Sequence, residues 1–138
     1  MAELGSIEQL RIYKTARALE DEVYELVKRF PAEQFYGLSN DLRRSSAAVC
    51  HHIQGAHNLY SYKLKIDELR ATIREAEVTQ KYLEDARSLG ATDEMISEYT
   101  SVIKQSWGLI KWFRVKLDER KEKAEVAAKE QLANVPAL

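Results

Sequence analysis

Residues that break helices are scarce in this chain, with five glycines and two prolines in 138 residues. So few breakers argue against a fold of short strands and tight turns, and for long helices. Cysteine is scarcer still. Cys50 stands alone, which excludes a disulfide within the chain and suits a reducing compartment. Neither sign of charge is in excess, since 21 Lys+Arg face 22 Asp+Glu for a net charge of −1. No global basic field therefore draws the protein onto nucleic acid or an anionic membrane, and any such role needs a local patch. Long apolar runs are also missing, and none approaches the ~18 residues that begin to suggest a membrane span. The opening Met-Ala-Glu-Leu-Gly is acidic and unlike a secretory signal. A cytoplasmic location is the expectation.

What the chain does have is rhythm. Tyr62, Ile66, Leu69, Ile73, Ala76, Gln80 and Leu83 fall at spacings of 4-3-4-3-4-3, which keeps one narrow stripe on one side of a helix. Three other stretches share it: Ile12, Ala16, Leu19, Val23, Leu26, Phe30, then Leu42, Ser46, Val49, Ile53, Ala56, and later Tyr99, Ile103, Ser106, Ile110, Phe113, Leu117. Punctuation falls between them. Pro31 ends the first helix, Gly37 is suited to a positive φ, and Ser39 is a candidate N-cap with Asp41 in the first turn. Gly90 suits a left-handed C-terminal cap, and Thr92 followed by Asp93 and Glu94 opens the last helix.

These signals predict an all-α protein, an up-down-up-down antiparallel four-helix bundle over residues 1–120, with helices near 6–30, 40–56, 61–89 and 93–118. From 121 to 138 the stripe gives way to charge, and a fraying helix or a disordered tail is expected.

At Phe30-Pro31, Tyr36-Gly37-Leu38, Arg43-Arg44 and the small run Ser45-Ser46-Ala47-Ala48, the chain resembles the four-helix bundle family of 23S rRNA intervening-sequence proteins. Thr72-Ile73-Arg74-Glu75-Ala76-Glu77 and Trp107-Gly108-Leu109-Ile110 extend the resemblance, which covers roughly residues 8–117. Cys50, His52 and Gly55-Ala56 depart from the family pattern and drift toward the related accessory variability proteins of diversity-generating retroelements, which partner a reverse transcriptase. The resemblance implies a homo-oligomer, a pentameric ring in relatives, with RNA or a nucleoprotein as a further partner. It carries over no catalytic residue.

Several side chains invite a chemical reading. His51, His52 and His57 cluster near Cys50, but their separations of 1, 5 and 6 residues fan them around a helix, so no metal is expected. Cys50 reads as a packed thiol, since His51 lies about 100° round the helix from it. Glu75 and Glu77 point to different faces, and Glu77 could reach Arg43 or Arg44 as a structural ion pair. Gln80 is the one amide in a stripe, a device for fixing register. No cofactor and no enzyme activity are expected.

The richest patch lies between Ser101 and Lys116, which hold no acid. There Lys104, Trp107, Lys111 and Arg114, spaced 3-4-3, form a row of their own. Such a row serves a subunit interface, a nucleic-acid contact through phosphate pairing and base stacking, or a solvated face. Arg43 and Arg44 form the second candidate patch, with ion pairs inside the bundle as their plainer use. The expectation is a non-enzymatic homo-oligomeric interaction or scaffold module contacting RNA or a nucleoprotein, with a retroelement reverse-transcriptase subunit as the alternative.

Overall fold

The computed structural model of the chain describes residue 7 and residues 10–134. Among these residues the protein is all-α, with four α-helices and no strand: α1 (Arg11–Val27), α2 (Asn40–Asn58), α3 (Tyr62–Asp85) and α4 (Asp93–Ala133). The expected start of α1 near residue 6 lies outside the described residues, and Leu10 is extended just before the helix.

All six stripe residues of the first helix are buried, Ile12 to Phe30. The helix itself ends at Val27 rather than at residue 30. Its last turn tightens, with the Arg29 and Phe30 amides donating to Leu26 and Val27 three residues back, at 3.1 Å each. Phe30 thus reaches the core from a turn ahead of Pro31.

Two expectations fail in the connection that follows. Gly37 has φ −106°, and the single positive φ among the described residues belongs to Gly90. Ser39 is no N-cap. It has helical torsions and no capping hydrogen bond, because a π-type turn over Phe35–Ser39 winds directly into α2 and its carbonyls already take the first amides, Gly37 accepting from Asn40. Asp41 does sit in the first turn of α2.

The other signals lie where the residue chemistry puts them. Leu42, Ser46, Val49, Ile53 and Ala56 are buried on α2, which runs to Asn58 rather than 56. Ser61 caps α3 by accepting from the Leu64 amide at 3.3 Å. On α3 the stripe is buried except for half-buried Tyr62 and Gln80. That helix ends at Asp85, short of 89; a 3-10 turn (Arg87–Leu89) follows, and Gly90 at φ 112° lets the Ala91 amide return to the Ala86 carbonyl at 3.1 Å. Thr92 caps α4 by accepting from Met95 at 3.2 Å.

α4 continues well beyond 118. Residues 118–133 are helical and exposed throughout. Ala, Glu, Lys and Arg are strong helix formers, and Glu119 with Lys123 and Glu125 with Lys129 have the favourable i,i+4 order. Residues 135–138 of the expected tail lie outside the described residues.

α3 packs against α2 and α4, and α1 packs against α2 and α4. The larger core joins α1, α2, the C-terminal half of α3 and the first turns of α4; the smaller gathers Ala56, Ile66, Leu69, Ile73, Ile110 and Phe113. Polar clips cross the helix pairs. The Gln80 amide donates to the Ile96 carbonyl and the Thr100 hydroxyl of α4, both at 2.8 Å. Thr79 and Ser45 hydroxyls meet at 2.8 Å between α3 and α2.

Candidate interface on the last helix

Spacing alone separates two faces of α4. Tyr99, Val102, Ser106, Ile110 and Phe113 are buried, whereas Lys104, Trp107, Lys111 and Arg114 are exposed along the same stretch. Trp107 keeps 49% of its surface open, a large apolar area for a side chain flanked by cations. The ion pairs among the described residues involve other groups, so Lys104, Lys111 and Arg114 carry uncompensated charge.

Trp112 is turned elsewhere. Five residues beyond Trp107, it lies about 140° round the helix. It packs edge-on against Phe113 at 5.2 Å and Tyr62 at 6.4 Å between ring centroids. Lys116 lies over the Trp112 ring at 5.4 Å and Arg120 over the Tyr62 ring at 4.0 Å. Sequence reasoning missed this cation-capped aromatic cluster, because Tyr62 and Trp112 meet only once α3 and α4 pair.

Arg43 and Arg44 do not join the row on α4. They lie on the α1–α2 edge, where Arg43 stands over the Tyr24 ring at 5.4 Å and Arg44 donates to Asp41 at 3.2 Å. Glu20 and Asp21 line the same cleft, so acids offset the arginines there. The suggested partner, Glu77, is exposed and makes no ion pair with either.

The histidines separate. His51 is exposed, the His52 Nδ1 is 2.8 Å from the Glu68 carboxylate on α3, and His57 has a buried Nδ1 without a partner beside a small apolar cavity of about 30 Å³. Among the described residues no three His, Cys, Asp or Glu gather as metal ligands. Cys50 is buried, and burial pushes its thiol up to about 12, with the neighbouring Glu20 adding to the rise and Arg17 opposing it. A nucleophilic cysteine needs the opposite shift.

Two further features carried no sequence signal. Lys65, a stripe neighbour, is buried and donates to the Ala56 and His57 carbonyls at 2.8 and 3.2 Å. Glu22 of α1 faces Glu94 and Glu98 of α4, and burial first, then those two charges, holds its carboxyl above the ordinary range. Both arise from helix pairing, which spacing within one helix does not reveal.

No helix among the described residues is long and apolar enough to cross a membrane. The class is thus a small all-α protein that exposes an aromatic and basic row along its last helix. The chain belongs to the family of 23S rRNA-intervening sequence proteins, whose family model matches residues 8–109. The match includes Lys104 and Trp107 and stops short of Lys111 and Arg114. No curated protein matches the chain.

Proposed function

We propose that the protein is a non-enzymatic, self-associating scaffold, an up-down-up-down antiparallel four-helix bundle that assembles into a ring through α4. The packing of each helix on its neighbours in sequence, and of α1 on α4, supports the up-down topology. The observation that carries self-association is Trp107, half-exposed in line with three cations that join no ion pair among the described residues. Tryptophan and arginine are among the residues most enriched where interfaces hold their energy, and an indole left half in water forgoes about half of its burial free energy.

Sedimentation equilibrium over a range of concentrations tests this reading. Wild type is expected at a multiple of 15.9 kDa, and Trp107→Ala at a dissociation constant at least about tenfold higher with unchanged helical circular dichroism. An equal mass for both proteins would remove Trp107 from the interface.

A second reading is favoured by one feature, the freedom of the row from acids. An indole between cations stacks a base while the cations hold phosphates. On this reading the row contacts RNA or a nucleoprotein. Binding of a mixed-sequence RNA that weakens with salt and is lost in Lys111→Glu with Arg114→Glu supports it; binding unaffected by both changes counts against it.

A further inference from the structure

With three positive charges in the row, the rest of a chain of net charge −1 carries an excess of acids. The structure gathers three of them in one place. Between α1 and the first turns of α4 lies a cleft of about 400 Å³, whose charged lining is Glu22, Glu94, Glu98 and a single cation, Lys14. None of the three carboxylates joins an ion pair among the described residues. Among the described residues, one chain therefore carries two surfaces of opposite sign, a basic row and a cleft in which three acids face one cation.

Helix geometry keeps them from meeting within that chain. Glu98 and Lys111 are thirteen residues apart on α4, so they sit about 140° apart round the helix and about 20 Å apart along it. A two-fold pairing would join the row of each copy to the cleft of the other, twice over, and stop at a dimer. A head-to-tail contact joins the row to the next copy's cleft once, and such contacts build rings or filaments according to whether the rotation closes.

We propose that the occupant of the acidic cleft is a second copy of this chain, with Lys111 and Arg114 of one copy docking against Glu22, Glu94 and Glu98 of the next. This rests on the self-association proposed above and adds which surface the α4 row meets. Every copy supplies both halves of the contact, so the complement is present at equal concentration wherever the protein is made. Two separate helices form the cleft, so the site requires the folded chain.

Charge reversal in full-length protein tests the proposal by light-scattering mass. Glu98→Lys and Lys111→Glu are each expected to raise the dissociation constant at least about tenfold, as opposed charges become like charges across the contact. An equal mixture of the two variants is expected to recover association between unlike copies, since each supplies the surface the other lacks. Retained helical circular dichroism shows that each variant folds; for one that does not, Glu98→Gln or Lys111→Gln takes its place, with the same direction of change expected. Wild-type oligomers unmoved by either reversal would overturn the docking and leave self-association standing. A wild type at 15.9 kDa at every concentration would overturn both.

Discussion

Lys65 shows how a charged side chain comes to lie in the core of a helical protein. Burial holds its ammonium below the ordinary lysine range, yet it ends on the last carbonyls of α2, which a helix leaves without amide partners. Lys65→Met keeps the stem and removes the donor, and a loss of about 1–3 kcal/mol in urea unfolding is expected. An unchanged midpoint would mean that water satisfies those carbonyls. Cys50 gives a second residue-level test. Its proton stays on to about 12 in the folded chain but leaves near ~8.5 once unfolded. Between those values the native state holds the extra proton, so stability falls as pH rises from about 9 toward 12. Tyr99, its phenol also pushed up by burial, acts in the same direction above about 10. Native Cys50 should react with iodoacetamide about a thousandfold more slowly than unfolded chain near pH ~8. Equal rates would contradict the burial account.

At the scale of elements, stripes and caps were legible and joints were less so. The four apolar stripes lie in or beside the core because period is a property of one helix, and Gly90 and Thr92 act where their backbone chemistry places them. The connection over 32–39 was not legible at Gly37 and Ser39, since a winding that runs on into α2 supplies the partners a cap would supply. The end of α4 was legible only as two alternatives, a fraying helix or a disordered tail, because a tail with little to bury still has high helix propensity. A Cβ at Gly90 would add left-handed strain and come within 3.3 Å of Leu26 Cδ1. Gly90→Ala should therefore cost about 1–2 kcal/mol, read as a lowered urea midpoint. Stability equal to wild type would show that the α3–α4 turn relaxes to another conformation.

The same division holds for the candidate site at the scale of the whole molecule. The row Lys104, Trp107, Lys111, Arg114 was legible because all four residues ride one helix. The acidic cleft was not, because Glu22 meets Glu94 and Glu98 only when α1 packs on α4. Arg43 and Arg44 were legible as charges with ion pairs as their plainer use, but their partners Tyr24 and Asp41 were not. If two opposite surfaces join successive copies, assembly depends on charge, and salt screens exposed charges over about 10 Å at 0.1 M. The most direct measurement is light-scattering mass on a size-exclusion column, at low and then high salt. The account predicts one species at a multiple of 15.9 kDa that dissociates as salt rises. A single 15.9 kDa species at low salt and high protein concentration would contradict it.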